Sequence, residues 1–387
     1  MPRIRNLVLP LLALVGCTGN SSSGGAAVQS AGRPFEAQEM ARFNEPWAMT
    51  FLPGRQQALI TERPGRLLLW EQGKPPIEVS GVPQVAYGGQ GGLGDVVLHP
   101  GFAQNGLVYL SWVEAGPDGT FGAVVGRGRL LFTSAAAPGA PAGVQIEGFQ
   151  PIWRQQKMTG RGHFSHRIAF GPDGKLFISS GERQAFTPAQ DPNANLGRVV
   201  RLNDDGSVPA DNPFAARGGP GAQSWTMGNR NLLGLAFAAD GNLWEIEMGP
   251  QGGDELNLVG RGLNYGYPNA SNGSHYDGRD IPDHRPGDGY EPPKVWWNPS
   301  ISPSSLMIYS GNLFPQWRGD AFVGALSGEA LIRIDLDGTN AVKGDQWPMG
   351  ARIREVEQGP DGAIYVLEDG DNARLLRLTP TAASASR

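Results

Sequence analysis

The apolar residues of this chain fall into short runs that are separated at close intervals by turn residues. One unit recurs, with an apolar run, a turn that carries Asp-Gly or Asn-Gly, and a second apolar run. Clear copies are IAFGPDGKLFISSGE at 168–182, LAFAADGNLWEIEMG at 235–249 and VEQGPDGAIYVLED at 356–369, and looser copies begin at Met49 and Val96. Asp-Gly and Asn-Gly supply the positive φ angles of two-residue hairpin loops, so each copy predicts a β-hairpin.

Hairpins that recur along the chain predict an all-β fold built by radial repetition. At roughly 40–60 residues for each four-stranded unit, six units fit the length. The expectation is a six-bladed β-propeller with four-stranded antiparallel blades over residues 34–380, and a β-sandwich or β-helix array is the alternative. Residues 265–295 are too polar and proline-rich for a blade. We interpret them as a long excursion over one face, where functional residues tend to lie.

Composition agrees with an ordered, strand-rich chain. Of the 387 residues, 40% are hydrophobic, while 57 are glycine and 32 are proline, which excludes disorder and favours short strands with tight turns. The formal net charge is −5, so no basic field is present to attract nucleic acid.

The two ends of the chain differ from its middle. A basic MPRIR and a short apolar run lead to LVGC, which ends at the single cysteine, Cys17, and a Ser/Gly/Ala-rich stretch follows. This resembles a bacterial lipobox, with a signal peptide over 1–16, a lipidated Cys17 and a flexible linker over 17–33. An ordinary signal peptide is the alternative. Both predict export to the periplasm or cell envelope, and the lipobox adds a lipid anchor, expected in the outer membrane. Residues 381–387 are expected to form a disordered tail.

Two groups of residues suggest chemistry before any comparison. His163 and His166 lie three apart at the head of a predicted hairpin, although the chain has only five histidines. They are either polar loop residues or include a general base, since imidazole titrates near neutral pH. Arg352 and Arg354 alternate on one strand face, and two guanidinium groups so placed suit the binding of carboxylates. The alternative for this pair is a solvated strand face paired with the neighbouring Glu355 or Glu357.

Eight motifs between about Pro46 and Leu378 carry a resemblance to a known family. They are GGQGGLGDVVLHPGF (88–102), GHFSHRIAFGPDGKLF (162–177), DPNANLGRVVRLNDDGSVPADNPF (191–214), GNRNLLGLAF (228–237), EMGPQGGDELN (247–257), LNYGYP (263–268), PSISPSSLMIY (299–309) and RIREVEQGPDGAIYVL (352–367). In this order they resemble the soluble quinoprotein glucose/sorbosone dehydrogenases, and among these the bacterial aldose sugar dehydrogenases. The resemblance implies a six-bladed propeller that binds pyrroloquinoline quinone (PQQ) and Ca²⁺ and oxidises the anomeric hydroxyl of aldose sugars to lactones.

The resemblance also implies roles for single residues. By position in the motifs, the catalytic residues are His163 as general base and Arg230, while His166 is structural or faces the substrate. The residues expected to bind the cofactor are Gln90, Arg230, Asn231, Arg352 and Arg354. The residues expected to bind calcium are Gly249 and Pro250, through their carbonyls beside the quinone, and Glu255 and Tyr265 at a second, structural site.

The sequence departs from the family pattern at several of these positions. Ser327 stands where the family often has a lysine facing the cofactor, and Asn229 and Leu233 replace a histidine and a glutamine. The lost lysine predicts looser cofactor binding. The function expected is a sugar oxidoreductase that passes electrons to a separate acceptor. The alternatives are a calcium-dependent lactonase-like hydrolase, against which Arg352 and Arg354 count, and a non-catalytic surface propeller that binds glycans or protein.

Overall fold

The hairpins predicted from the Asp-Gly and Asn-Gly turns are present in the computed structural model, which describes residues 32–133 and 143–382. The first strands are β1 Phe35–Phe43, β2 Pro46–Phe51, β3 Gln57–Glu62, β4 Arg66–Glu71, β5 Ile77–Ser80, β6 Leu93–Leu98, β7 Leu107–Ala115, β8 Phe121–Thr133 and β9 Gly143–Arg154. Next come β10 Ser165–Phe170, β11 Leu176–Ser180, β12 Arg198–Leu202, β13 Leu232–Phe237, β14 Leu243–Glu247, β15 Asp254–Leu258 and β16 Val295–Trp297. The last are β17 Pro303–Ile308, β18 Ala321–Ala325, β19 Ala330–Asp337, β20 Asn340–Pro348, β21 Ile353–Gln358, β22 Ile364–Glu368 and β23 Ala373–Pro380.

Helices in the described residues are short. They are α1 Phe102–Asn105 and the 3₁₀ turns Pro117–Gly119, Thr187–Gln190, Ala215–Arg217, Pro220–Gln223 and Pro315–Trp317. No helix among the described residues is long and apolar enough to span a membrane. The predicted signal peptide, Cys17 and most of the linker lie outside the described residues.

The strands form several antiparallel sheets in an all-β, propeller-like arrangement. The strand orders are β1-β23-β22-β21, β10-β11-β12, β13-β14-β15-β16, β17-β18-β19-β20 and β2-β3-β4-β5-β9-β8-β7-β6. In the longest sheet, two antiparallel groups of four strands are joined by a short parallel contact between β5 and β9. The first sheet unites the beginning and the end of the described chain, because β1 pairs with β23.

One sheet differs from the expected four strands. After β12 the chain enters a stretch with prolines at 209, 213 and 220, which lack the N–H that a ladder requires. Where a fourth strand would lie, Ser224 forms only an isolated bridge to Val200, and the amide of Trp225 donates to the carbonyl of Val199 at 2.8 Å. The sheet of β10, β11 and β12 therefore has three strands.

One edge strand of each four-stranded group and of the three-stranded sheet lies at the centre, namely β2, β6, β10, β13, β17 and β21. β2 packs beside β6, β6 beside β10, β10 beside β13, β13 beside β17, β17 beside β21, and β21 beside β2. The apolar core lies between consecutive sheets. For example, Trp47 and Leu59 pack with Val108 and Trp112, and Phe322 and Leu331 pack with Val356 and Val366.

A single buried arginine links the central strands. The guanidinium of Arg167, on β10, donates to the carbonyls of Leu233 at 2.8 Å and Ser304 at 2.6 Å. It lies 3.5 Å from Asp95 and 2.6 Å from Glu355, and its centre is 3.9 Å from the ring of Trp47. These partners come from β13, β17, β6, β21 and β2. Arg167 therefore ties β10 to the other five central strands.

Candidate active site

The turn that leads into β10 holds His163 in a strained backbone conformation. His163, Ser165 and His166 have φ values of 47°, 61° and 66°. These lie in the left-handed region, which residues other than glycine seldom occupy. Gly181, just after β11, allows the turn to come close, because a Cβ at residue 181 would lie 2.1 Å from the carbonyl oxygen of His163. Strain of this kind is concentrated at functional sites, so the turn is a candidate for function.

His163 is held by a buried carboxylate that follows the same hairpin. Its Nδ1 lies 2.5 Å from Oε1 of Glu182, which is fully buried. Glu182 also accepts backbone N–H groups of residues 184, 185 and 186 at 3.0, 2.6 and 2.7 Å. An ionised carboxylate only accepts hydrogen bonds, so the proton of a neutral His163 lies on Nδ1. Nε2 is then the nitrogen that can take a proton.

The surroundings of this pair favour a neutral imidazole beside an ionised carboxylate. Burial lowers the pKa of His163, and the hydrogen bond to Glu182 offsets part of that effect. Burial acts to raise the pKa of Glu182, but the hydrogen bonds from His163 and the amide of Phe186, with the charge of Arg230, outweigh it, and the pKa lies below its ordinary value. At neutral pH His163 is therefore in the form that acts as a base.

His163 faces a cavity of about 230 Å³, called here the histidine cavity. Its wall is formed by His163, Glu182, Gln184, Phe186, Arg230, Pro250, Tyr267, His275, Tyr276, Asp277 and Arg279. Five of these belong to the segment 265–295, so the predicted excursion does contribute to a candidate site. Two buried polar atoms of the wall, Nε of Arg230 and the hydroxyl of Tyr267, have no hydrogen-bond partner among the described residues. Such atoms are suited to bind a polar ligand.

Arg230 lies between the histidine cavity and a smaller one. Its side chain donates to the carbonyl of Met248 at 2.8 Å and to that of Gly249 at 2.5 Å. Its own amide donates to Glu247 at 2.5 Å. The guanidinium centre also lies 5.7 Å from the ring centre of Tyr267 and 5.8 Å from that of Tyr276. Arg230 thus places a positive charge on the wall of the histidine cavity that His163 also lines.

A second large cavity, of about 310 Å³, contains three arginines and is called here the arginine cavity. It is lined by Trp47, Arg63, Gly89, Gln90, Phe164, Ser165, His166, Asn231, Leu233, Met248, Ser302, Leu326, Arg352, Arg354 and Asp369. Most of these residues lie at or before the start of the central strands, while Arg63, Met248, Leu326 and Asp369 each follow the neighbouring strand. Four of the five residues predicted to bind the cofactor are among them, and the fifth, Arg230, lines the histidine cavity.

Arg352 and Arg354 do point to the same side of β21, as the alternation predicted, while Ile353 is buried in the core. Their acidic partner is Asp369 and not Glu355 or Glu357. Arg352 donates to Asp369 through Nε at 2.8 Å, and Arg354 donates through Nε at 2.9 Å and NH2 at 2.8 Å. Burial lowers the pKa of Arg354, since its charge is costly to hold away from water.

Gln90 and Asn231 lie where the two large cavities approach each other. Oε1 of Gln90 accepts the backbone N–H of His163 at 2.7 Å, so Gln90 connects the arginine cavity to the strained turn. Asn231 is buried, and its Oδ1 accepts from Ser165 at 3.1 Å. The amide nitrogen of Asn231 is a buried donor without a partner among the described residues. This donor suits a ligand with carbonyl or quinone oxygens.

The predicted calcium ligands gather around a small void of about 10 Å³, called here the acidic cavity. Gly249, Pro250, Glu255 and Tyr265 all line it, together with Glu247. The hydroxyl of Tyr265 donates to the carbonyl of Leu258 at 2.5 Å and accepts the N–H of Gly260 at 2.8 Å, so the carbonyl of Tyr265 is the oxygen left to serve a metal. The described residues contain no set of three His, Cys, Asp or Glu side chains arranged to hold a metal ion. Any cation here needs carbonyl oxygens as ligands.

The charges around the acidic cavity nevertheless fit a cation. Glu245, Glu247 and Glu255 are buried close together, and the amide of Asn257 reaches all three, at 2.8, 3.4 and 3.3 Å. Burial and then the charge of Glu247 raise the pKa of Glu255 well above its ordinary value. The carbonyl of Gly249 already accepts from a cationic group, that of Arg230. Hard oxygen donors of this kind are the ligands that Ca²⁺ prefers.

His166 has a different environment from His163. Its ring stacks on Trp47 with centres 5.1 Å apart, and Nδ1 lies 2.8 Å from the hydroxyl of Ser111. Burial lowers the pKa of His166 to about 3, so it stays neutral. This packing agrees with the structural role that was one of the two expected for it.

Three residues of the cavity walls were missed by the sequence reasoning. Glu182 closes the hairpin that carries His163, and a carboxylate directly after a buried strand was a usable signal. Asp369 follows β22 in the same way. Arg63 follows β3, but nothing in the local pattern distinguishes it from Arg66 three residues later. Only the packing of distant strands brings Arg63 to Arg352 and Arg354.

Comparisons with known proteins agree with this architecture. The sequence pattern of the Glucose / Sorbosone dehydrogenase family matches residues 43–377. Aldose sugar dehydrogenase YliI of Escherichia coli is 40% identical over 88% of this chain and 91% of its own. The apo form of the soluble aldose sugar dehydrogenase of E. coli has a TM-score of 0.82 at 38% identity, covering 90% of this chain and 100% of that one. The PQQ-bound aldose sugar dehydrogenase of Streptomyces coelicolor has a TM-score of 0.71 at 26% identity, covering 89% and 98%. With these motifs, sheets and cavities, the chain belongs to the glucose/sorbosone dehydrogenase family.

Proposed function

We propose that this protein oxidises the anomeric hydroxyl of an aldose sugar to a lactone, with pyrroloquinoline quinone and Ca²⁺ bound. The observation that carries the proposal is the pair His163 and Glu182 on the wall of the histidine cavity, beside a cavity rich in arginine. The names of the relatives support a sugar as the substrate. The PQQ-bound relative from S. coelicolor supports the cofactor.

His163 acts as the general base in this proposal. Oxidation of a hemiacetal requires loss of the hydroxyl proton as the hydride leaves carbon, and Nε2 of His163 is positioned to take that proton. Glu182 holds the ring through Nδ1 and stabilises the imidazolium that forms. The unpaired Tyr267 hydroxyl is available to hydroxyl groups of the sugar.

The quinone would be held by the arginine cavity. Arg352 and Arg354 would bind its carboxylates, and Asn231, Gln90 and Arg230 would donate to its oxygens. The fit rests on the buried, unpaired amide of Asn231 and on the two guanidinium groups that share one carboxylate. When bound, the quinone supplies the hydride acceptor. The electrons would then pass to an external acceptor.

Calcium would be held by the carbonyls of Gly249 and Pro250, and a second ion by Glu255 and the carbonyl of Tyr265. Arg230 shares the carbonyl of Gly249, so calcium and the guanidinium compete for that oxygen. The buried carboxylates of Glu245, Glu247 and Glu255 would be stabilised by a divalent charge.

We further propose that the sheets form six blades around the central strands. The eight-stranded sheet counts as two blades joined at β5 and β9, and the sheet that holds β1 and β23 closes the ring. The circular order of contacts from β2 through β6, β10, β13, β17 and β21 back to β2 supports this grouping. Arg167 then lies in the central channel.

The amino-terminal sequence supports a place outside the cytoplasm. We propose export to the periplasm or cell envelope, with Cys17 lipidated and residues 18–33 as a tether to the outer membrane. The propeller domain proposed over residues 34–380 would then face its sugar and its electron acceptor with no direct contact with the bilayer.

Reconstitution tests the proposed reaction. Purified protein is loaded with Ca²⁺ and pyrroloquinoline quinone and mixed with a redox dye and a panel of aldoses. We expect dye reduction that needs the quinone, the metal and a free anomeric hydroxyl, so the matching methyl glycosides remain unoxidised. Protein that binds the quinone but reduces no dye with any aldose would contradict the proposal. Lactone hydrolysis with Ca²⁺ alone would instead support a hydrolase.

A further inference from the structure

The arginine cavity holds one more cation than the sequence motifs account for. Arg63 lies after β3, in the chain segment that leads to β4, and it lines the cavity together with Arg352 and Arg354. Arg63 lies near the beginning of the described chain, whereas Arg352 and Arg354 lie near its end. They meet because the central strands β2 and β21 are neighbours.

Arg63 is held in place but keeps donor capacity. Its NH1 donates to Glu45 at 3.0 Å, and its NH2 donates to the carbonyls of Gly89 at 2.5 Å and Gly91 at 3.4 Å. The side chain is 19% exposed. A guanidinium carries five N–H donors, and Glu45 does not line the cavity. Arg63 can therefore bind a further anion without leaving its partners.

Ser327 lies close to the arginine cavity but carries no charge. The hydroxyl of Ser327 donates to that of Ser302 at 2.8 Å, and Ser302 lines the arginine cavity. Ser327 therefore contacts the cavity wall through Ser302 but does not itself line the cavity. A neutral hydroxyl there adds no positive charge for an anionic ligand.

The cationic groups of the cavity wall outnumber its carboxylates. Arg63, Arg352 and Arg354 face it, while Asp369 is the carboxylate among its lining residues. Three guanidinium groups match the three carboxylates of pyrroloquinoline quinone in number. Arg352 and Arg354 share the single carboxylate of Asp369, so a ligand with several carboxylates would add anions that the cavity wall itself lacks.

We infer that Arg63 is a third carboxylate-binding residue of the quinone site, which supplies the positive charge that Ser327 lacks. This inference rests on the proposed function and adds a residue that the motifs do not assign. The geometry places this charge at the end of β3, beside the loop at Gly89.

Cofactor titration tests the role of Arg63. Calcium-loaded apoprotein is titrated with pyrroloquinoline quinone, and binding is followed by quenching of tryptophan fluorescence. We expect Arg63→Gln to raise the Kd roughly ten- to a hundredfold, which corresponds to one lost charge-assisted hydrogen bond. Arg66→Gln is the matched control, because Arg66 lies three residues away, pairs with Glu62 and Glu78, and is 47% exposed. Its Kd should equal that of the wild type within about twofold, well under the 1.4 kcal/mol of a tenfold change.

The trimethyl ester of the quinone keeps the ring system but has no carboxylate charge, so it separates recognition of charge from recognition of shape. If Arg63 binds a carboxylate, then wild type and Arg63→Gln should bind the ester with equal Kd, since the partner anion is gone. Arg63→Lys keeps the positive charge but loses the planar, bidentate guanidinium, so it should give an intermediate Kd for the free acid. It also serves as the second variant if Arg63→Gln loses the bond to Gly89 and fails to fold.

Ser327→Lys provides a rescue. In the Arg63→Gln background a lysine at 327 should recover part of the lost affinity for the free acid and none for the ester. Equal Kd values for wild type, Arg63→Gln and Arg63→Lys with the free acid would overturn the inference while the proposed cofactor stands. Failure of the wild type itself to bind the quinone would overturn the proposed function, and the inference with it.

Discussion

At the scale of single residues, His163 and His166 have the same side chain but different properties. His163 contacts a carboxylate and faces a cavity, whereas His166 stacks on Trp47 and bonds a serine hydroxyl. The first arrangement produces a base with one free nitrogen, and the second a neutral packing residue. Spacing in the sequence does not distinguish them, because both lie in the same strained turn.

Replacement of His163 should therefore affect mainly the rate, and replacement of His166 mainly the stability. We expect His163→Ala to lower the rate of sugar oxidation by roughly 10²–10⁴ while the Kd for the quinone changes little, because a general base is lost. His166→Ala should lower the melting temperature, since a buried ring is removed. Because His166 also lines the arginine cavity, we expect the variant to retain most of the rate per folded molecule when the quinone is saturating. Steady-state kinetics and thermal melts of both variants measure this. A larger loss of rate in His166→Ala would contradict the assignment.

The role of Glu182 should be visible in the pH dependence of kcat/KM. His163 must be neutral to act, so kcat/KM should fall as pH drops through its pKa, which burial holds below 6.5. In Glu182→Gln the imidazolium loses its anionic partner, so the pKa of His163 falls further and the acid limb moves to lower pH. The plateau should also fall, roughly ten- to a hundredfold, for one lost hydrogen bond to a charged group. A merely structural Glu182 would lower the plateau without moving the acid limb.

At the scale of elements, the hairpin of β10 and β11 both forms a sheet and positions the base. A hairpin forms here as predicted, but its loop is residues 171–175 and not a two-residue loop, since Gly174 has a positive φ and Asp173 does not. His163 and Glu182 lie just outside the ladder at the other end of the two strands. The register of the pair shifts between Ser165 and Ile168, and Ser165 pairs with Ser180 beyond this irregularity. The strained residues Ser165 and His166 therefore lie at an irregularity of β10, and His163 lies just before the strand.

Two glycines of this hairpin should respond differently to substitution. In Gly181→Ala the new methyl group would lie 2.1 Å from the carbonyl oxygen of His163, so the turn must move. We expect a loss of about 1–3 kcal/mol in the free energy of unfolding and a strong loss of activity. Gly174→Ala is the control, since its Cβ meets nothing within 4 Å and only its φ of 74° is unfavourable. That strain costs about 1–2 kcal/mol and should leave the rate per folded molecule unchanged. Equal rates in both variants would show that the turn tolerates displacement.

At the scale of the whole molecule, the central strands are held by apolar packing between sheets and by Arg167. We expect Arg167→Leu to lower the free energy of unfolding by about 3–5 kcal/mol, because Asp95 and Glu355 lose their shared cation while buried. Arg42→Leu removes an exposed pair with Glu39 and should cost under about 1 kcal/mol. Denaturant unfolding compares the two. Similar losses would mean that Arg167 does not hold the centre.

The predicted lipid anchor concerns the whole molecule as well. The expected mature protein begins at Cys17 with a diacylglyceryl group, because LVGC ends a short apolar segment after basic residues. Mass spectrometry of the amino-terminal peptide from protein purified from the cell envelope measures this. Cys17→Ser is the control and should release the protein from the membrane fraction. A mature chain with a free Cys17 thiol, or with Met1 retained, would contradict the prediction.

Sequence by itself determined the hairpins, the all-β class and most residues of the candidate site. Turn chemistry and alternation are local properties, so GPDG at 171–174 and the pair Arg352 and Arg354 could be interpreted without coordinates. The family motifs supplied His163, Arg230 and the carbonyls near the acidic cavity. The tertiary structure decided which groups share a cavity, because that depends on strands distant in the chain. It places Arg63 near Arg354, Asp369 in contact with both Arg352 and Arg354, and Glu182 in contact with His163. The sheet of β10, β11 and β12 ends in a single bridge, because prolines remove the donors of a fourth strand.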